Sequence, residues 1–263
     1  MLNNHGDRDN NSNNHSNSNN SNGEKVSLRF LGVGSASQSG LGHAAAVVEY
    51  QKKYLLIDCG PDTLQLFKDT YQCLPDAIFI THCHLDHVGD FENIFIQSWF
   101  HQPERHQAKV FVPAKIIPLL HERVGSYPLP LAEGGVNFWD AFHLIPVGKD
   151  FVFNNLNFSV VSVRHHAPDT AYGLHLPEAF FYTGDTRPIP EVLNNMGKQE
   201  LIFHDCSVIG NPSHTGIDDI RREYSPELIA RMHFYHYSSQ KDLAAFKQDN
   251  LQVVEQGQCF TFN

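Results

Sequence analysis

Between Thr81 and Asp90 the chain reads Thr-His-Cys-His-Leu-Asp-His-Val-Gly-Asp. His82, His84 and His87 with Asp86 place imidazoles and a carboxylate within a few residues, directly after an apolar run at 77–80. Imidazole and carboxylate together suit borderline divalent metals. On an extended turn at a strand's end, His82 and His84 can point to one side while Asp86 and His87 reach a second ion. A merely polar, His-rich loop is the alternative, and the spacing and strand context weigh against it. Further groups able to do chemistry are scattered along the chain. They are Asp58 at the end of Tyr-Leu-Leu-Ile-Asp, the pair His165 and His166, Asp185 in Tyr-Thr-Gly-Asp-Thr, Asp205, His214 and His236. Alone, each is an ordinary polar residue at an element's end.

The elements that must position them alternate along the chain. Residues 26–31, 44–49 and 53–58 read as strands, separated by a Gly/Ser-rich loop at 32–42 and a turn at Gln51-Lys52. Residues 64–71 and 91–99 read as helices, 77–80 as a buried strand and 109–112 as a strand followed by a helix after Pro113. Residues 150–153 and 156–163, joined by an Asn154-Asn155 turn, are β-like, as are 172–176, 179–183, 201–205 and 232–235. Helical sequence fills the gap between the last two. This is an α/β pattern without a repeat or internal linker, so a single domain over 24–263 is expected. Residues 1–23 are dominated by Asn and Ser and cannot bury enough apolar surface to offset ordering, so they read as a disordered tail. His5 and His15 in it read as solvated.

Composition narrows the function. With 263 residues and 41% hydrophobic content, the chain can build a full core. Its 29 acids against 19 Lys+Arg give a net charge of −10, which disfavours a broad basic face for nucleic acid. Bound metal ions would add positive charge that this count omits, so a phosphate-directed site stays open. Five cysteines without a CxxC pair point away from a disulfide framework and toward a reducing cytoplasm. No apolar run approaches the ~18 residues of a membrane span, and the polar N-terminus has no signal-like apolar region. Histidine, at 17 residues, is nearly as common as Lys and Arg together, so its placement carries the functional information.

The His-x-His-x-Asp-His motif after a strand resembles the signature of the metallo-β-lactamase superfamily, and the other motifs follow in that superfamily's order from Val26 to the C-terminus. The resemblance implies a four-layered αβ/βα sandwich with a dinuclear metal site at one edge. It implies that His82, His84 and His165 hold one ion and Asp86, His87 and His236 the other, with Asp185 shared. Asp58 would support the metal loop. Arg164-His165-His166-Ala167-Pro168 offers two candidates for the middle ligand; the His-x-x-Pro pattern selects His165 and the spacing to Gly173 favours His166. Adjacent strand residues face opposite ways, so His165 is taken as ligand and His166 as a group supporting the ligands or facing substrate.

Within the superfamily, Phe-Leu-Gly-Val-Gly-Ser at 30–35, Tyr172-Gly173-Leu174, Ser213-His214-Thr215 and His236-Tyr237-Ser238 look like the ribonuclease Z branch of phosphodiesterases. There, an acid and a second histidine contact the scissile phosphate and protonate the leaving oxygen; carried over, the pair is Asp205 and His214. Departures are plain. The long arm that grips transfer RNA is missing, Leu85 stands where that branch has Gly, and Asp205 is shorter than its Glu. The resemblance therefore implies a compact cytoplasmic hydrolase that cleaves a small or nucleotide-type phosphodiester with a metal-bridging hydroxide, Asp86 helping to orient it. Two divalent ions are expected, Zn²⁺ first, with Mn²⁺ or Fe as alternatives. No extended nucleic-acid surface and no membrane partner are expected; a homodimer is expected by analogy with compact members. The competing readings are an esterase, thioesterase or lactonase on the same metals, and a non-hydrolytic di-iron oxygen or redox protein. Asp205 and His214 far from the metals would favour the carbon-ester reading.

Overall fold

The structure is a computed structural model that describes residues 25–101, 107–126 and 136–263. The expected tail, residues 1–23, lies outside the described residues. Strands β1 (Val26–Gly32), β2 (Ala45–Tyr50), β3 (Lys53–Ile57), β4 (Ala77–Phe79), β5 (Ala108–Pro113) and β6 (Phe142–Val147) form one sheet. Strands β7 (Asp150–Phe153), β8 (Leu156–Ser162), β9 (Tyr172–Leu176), β10 (Phe180–Tyr182), β11 (Leu201–Asp205) and β12 (Met232–Tyr235) form the other. The last strand, β13 (Cys259–Phe262), returns to the first sheet, giving the orders β13-β1-β2-β3-β4-β5-β6 and β12-β11-β10-β9-β8-β7.

Two tight turns set the hairpin registers. Gln51 and Lys52 have φ of 53° and 57°, and Asn154 and Asn155 have φ of 47° and 64°. Positive φ at both central residues of a two-residue turn matches the twist of the strands it joins. Asn tolerates that conformation well; Gln and Lys adopt it because the β2–β3 register, with Tyr50 opposite Lys53, demands it.

Alternating side chains explain the layers. In β2 and β3, Ala46, Val48, Leu55 and Ile57 face the second sheet, while Ala45, Val47 and Leu56 face the other way. The first set joins Phe30, Phe79, Phe158, Phe180 and Phe203 in the core between the sheets. The second set packs under Leu64 and Phe67 of helix Thr63–Tyr71 and Phe91 and Ile94 of helix Phe91–Phe100. Strands apolar on both faces require a covering layer on each side, and the helices Ile217–Glu223 and Leu243–Gln248 supply it for the second sheet through Ile220 and Phe246. Four layers result, as the resemblance implied. Each fully buried Phe contributes roughly 1.5–3 kcal/mol by removal from water, so the core is well able to hold a strained polar edge.

Strands β3 to β6 are mutually parallel, as are β10 to β12. Strand β8 runs with β10, since both are antiparallel to β9. The loops that follow β3, β4, β8, β10, β11 and β12 therefore leave carboxyl ends, where α/β sheets expose their functional loops. Two strands were not expected: β6 and β13. Both lie at sheet edges; β6 carries Pro146, which a central strand would not tolerate, and β13 is short and half-exposed.

Candidate metal centre

Asp58 follows β3 and is fully buried. The Thr81 amide donates to its Oδ1 at 2.8 Å and the Thr81 hydroxyl to its Oδ2 at 2.7 Å. His87 Nδ1–H donates to the same Oδ2 at 2.8 Å. One carboxylate thus pins both the start and the end of the His-rich loop. Because the Thr81 hydroxyl spends its proton on Asp58, it accepts from His82 Nδ1–H at 3.0 Å. His165 Nδ1–H donates to the Ser213 carbonyl at 2.9 Å. For His82 and His165 these bonds fix the neutral tautomer and leave the opposite ring nitrogen, Nε2, with a bare lone pair.

Those lone pairs converge. His84 Nδ1 lies 3.2 Å from His82 Nε2 and 3.2 Å from His165 Nε2. Asp185 Oδ2 approaches the same nitrogens at 3.6 and 3.9 Å. On the other side, His87 Nε2 and His236 Nε2 are each 3.2 Å from Asp185 Oδ2, and Asp86 Oδ2 is 3.4 and 3.6 Å from them. Three four-residue groups able to hold an ion result, His82-His84-His165-Asp185, Asp86-His87-Asp185-His236 and, overlapping the second, Asp185-Asp205-His214-His236, with Asp185 common to all. The loop after β4 contributes His82 and His84 to the first group and Asp86 and His87 to the second.

The donor set fits divalent ions on an observation of the structure itself. His87 Nε2, His236 Nε2 and both Asp185 oxygens are buried yet make no well-formed hydrogen bond. Buried polar atoms without partners are costly and rare, and several aimed at common points call for a cation. The electrostatics divide the same way. Burial, reinforced by the neighbouring charge of His87, holds His82 well below the ordinary histidine range. Burial beside His165 and His166 lowers His84 to about 4. In the other group burial opposes charge, but the Asp185 and Asp58 carboxylates override it and raise His87 well above its ordinary value. Asp185 and Asp205 likewise override burial and raise His236 to about 10. Burial raises the Asp185 carboxyl, yet His236 and His87 together push it well below the usual range.

Of the two adjacent histidines, His165 is buried with its Nε2 at the cluster, whereas His166 is exposed and lies against the outer side of His84, Nε2 to Nε2 at 2.6 Å, and against the His165 ring at 4.1 Å between centroids. Asp205, at the end of β11, lies beside the metal groups rather than far from them. Its Oδ2 accepts from His214 Nδ1–H at 2.8 Å and from the Thr186 amide at 2.9 Å, and its Oδ1 is 3.4 Å from His236 Nδ1. The His214 ring stacks on His236, with centroids 4.9 Å apart and planes at 18°. Together with Asp86, Asp185 and His236, it lines a cavity of about 520 Å³.

Sequence reasoning overlooked four residues here. Thr81 relays Asp58 to His82. Gly60 is needed because a Cβ there would overlap the Asp86 carbonyl oxygen. Ser35 lines the cavity at its serine-rich wall. Asn211 Oδ1 accepts from the amides of Ser213 and His214 and so shapes the His214 loop. The Asn-Pro pair at 211–212 was a legible turn signal.

A family profile described as anti-Pycsar protein Apyc1 matches residues 26–260. The chain belongs to that family. Among its Apyc1 relatives, the protein of Paenibacillus harenae is 28% identical over 243 residues, covering 88% of this chain and 97% of its own. That of Bacillus phage 010DV004 is 25% identical over 260 residues, covering 89% and 98%. Among solved structures, a diphosphatase from the PhnP family superposes with a TM-score of 0.69 at 20% identity, over 90% of this chain and 98% of that one. Human transfer-RNase Z, short form, gives 0.63 at 15% identity, over 90% and 99%. These likenesses establish the metallo-β-lactamase sandwich expected from the His-x-His-x-Asp-His motif and its companions. Family, fold and paired His/Asp clusters make the chain a metal-dependent hydrolase. No helix among the described residues is long and apolar enough to cross a membrane.

Proposed function

We propose that the chain is a cytoplasmic phosphodiesterase acting on a small nucleotide-type phosphodiester. The observation that carries this reading is the Asp205–His214 pair lying against the metal-ligand groups, since a carbon-ester hydrolase needs no such acid there. The family's anti-Pycsar designation makes a cyclic nucleotide the first member of that substrate class to assay.

In this reading His82, His84 and His165 hold one divalent ion, and Asp86, His87 and His236 the other, with Asp185 between them. Zn²⁺ suits the imidazole-rich donors, and Mn²⁺ or Fe suits them next. Such ions, when bound, would supply an ionised water at neutral pH and neutralise charge on the phosphoryl oxygens. The chain's own residues do the rest. Asp58, directly and through Thr81, holds His87 and His82 in the tautomers that present Nε2. Asp86 is well placed to orient the attacking water. His214, gripped at Nδ1 by Asp205, presents Nε2–H to the leaving oxygen and delivers the proton there. Asp205 also steadies His236, coupling the acid to the metal site.

The test begins with metal content of the purified protein. Turnover of bis-p-nitrophenyl phosphate is then compared with that of a p-nitrophenyl ester and a lactam, with His84→Ala as control. Two equivalents of metal in the wild type and preferential diester hydrolysis are expected, with at least one ion and the activity lost in the variant. Preferential ester or lactam turnover would overturn the reading.

A further inference from the structure

Thr186 is fully buried in the loop after β10, next to Asp185, the residue common to the ligand groups. Each of its polar groups is spent on a different part of the site. Its amide donates to Asp205 Oδ2 at 2.9 Å, the same oxygen that accepts from His214 Nδ1–H at 2.8 Å. Its carbonyl accepts from the amide of Thr215, directly after His214, at 3.1 Å and from the Thr215 hydroxyl at 2.7 Å. Its hydroxyl accepts from the amide of Arg164, directly before His165, at 3.1 Å and donates to the Arg187 carbonyl at 2.7 Å. Thr215 is fully buried as well, and its carbonyl accepts from the Ser207 amide at 2.9 Å, just beyond β11. The loops after β8, β10 and β11 therefore meet at one residue, out of reach of water.

We infer that Thr186 is a positioning residue for the hydrolysis, holding the Asp205–His214 pair in register with the metal groups, with Thr215 as its link to His214. A buried loop must satisfy its backbone somewhere. Satisfaction alone does not demand that the partners be the acid pair itself and the chain neighbours of two site histidines. Because Thr186 is covalently joined to Asp185 and bonded to Asp205, the shared carboxylate and the acid pair are held at a fixed separation. That separation matters: a misplacement of about 1 Å can cost about 10²-fold in rate. The two hydroxyls divide the task. That of Thr215 governs His214, and that of Thr186 governs the segment carrying His165.

This inference rests on the phosphodiesterase reading and is tested by one kinetic and one binding measurement. The kinetic quantity is the ratio of kcat/KM for cyclic AMP, whose leaving oxygen is an alkoxide, to that for bis-p-nitrophenyl phosphate, whose leaving group needs little protonation. Thr215→Val keeps the side-chain shape and the amide bond but loses the hydroxyl bond to Thr186. The ratio should then fall about 3–10-fold, the worth of one neutral hydrogen bond, and Thr215→Ser should restore it. A residue that merely stabilised the fold would lower both rates alike and leave the ratio unmoved. The binding quantity is metal affinity, measured without turnover by competition with a chromophoric chelator. Thr186→Val strips the acceptor from the Arg164 amide and should weaken one of the two ions about 3–10-fold, with Thr186→Ser restoring it. Melting temperature verifies that each variant folds; should one Val variant fail to, the other decides. An unchanged ratio in folded Thr215→Val, or wild-type affinity for both ions in folded Thr186→Val, would overturn the inference. A wild type that prefers carboxylic esters to both diesters overturns the phosphodiesterase reading instead, and the metal measurement then decides the inference.

Discussion

Replacing His214 by Ala separates proton delivery from metal binding. In the proposed ligand scheme His214 holds no ion, and its Nδ1 is committed to Asp205 at 2.8 Å, so the variant should keep both metals. What it loses is the acid. General acid catalysis is typically worth about 10²–10⁴-fold, and turnover of an alkyl-leaving-group diester such as a cyclic nucleotide should fall by that order. A p-nitrophenolate departs with little protonation and should suffer much less. Asp205→Asn gives a graded version. A charge-assisted bond to His214 is worth about 1.5–3 kcal/mol against about 0.5–1.5 for a neutral one, so roughly 1–1.5 kcal/mol is lost, or about 10-fold. The double variant should be far from additive, since the pair acts as a unit. The pH dependence has a defined sign. Burial lowers the His214 pKa, but the hydrogen bond and charge of Asp205 outweigh it and raise the group above its ordinary value. The acid form is therefore kept to higher pH than in a free imidazole, and poor-leaving-group turnover should decline as pH rises through that elevated value. The assay is kcat/KM on both leaving-group classes, with metal content measured alongside. Equal activity of His214→Ala and wild type on the alkyl diester, with both metals present, would refute the reasoning.

Gly60→Ala should disrupt the metal loop from outside it, because the new Cβ would overlap the Asp86 carbonyl oxygen; a lowered melting temperature and reduced metal content are expected, and normal values of both would show that the loop can move aside. Metal binding should also release protons. In the metal-free protein His236 is raised to about 10 and His87 well above its ordinary value, so both favour an extra proton that an ion must displace. Apparent affinity should rise with pH over that range, and calorimetry in buffers of different ionisation enthalpy should show net proton release. No buffer dependence would contradict the charged state of this pair.

The cluster at 82–87 could be read from sequence because its spacing is local. Four donors in six residues after an apolar strand leave little other use for that loop, and the strands themselves announce their carboxyl ends. The two-residue turns at Gln51-Lys52 and Asn154-Asn155, and the continuous apolar runs of β2 to β4, likewise carried the layered architecture in their own residues. The edge strands β6 and β13 did not, since their pairing is decided by partners far away in sequence: Ala108–Pro113 for one and Val26–Arg29 for the other. The same limit applied within the site. His165 and His166 are neighbours with equal chemistry, and local spacing pulled both ways; the Ser213 carbonyl, 48 residues away, engages His165 Nδ1 and turns its Nε2 inward. Asp205 and His214 were visible as residues, but their relation to His236 exists only because β11 and β12 lie side by side. Residue type and short-range spacing determine which atoms can bind or transfer a charge. Which of them share a point in space depends on strand pairing across the sandwich, and that follows from burying both faces of each sheet.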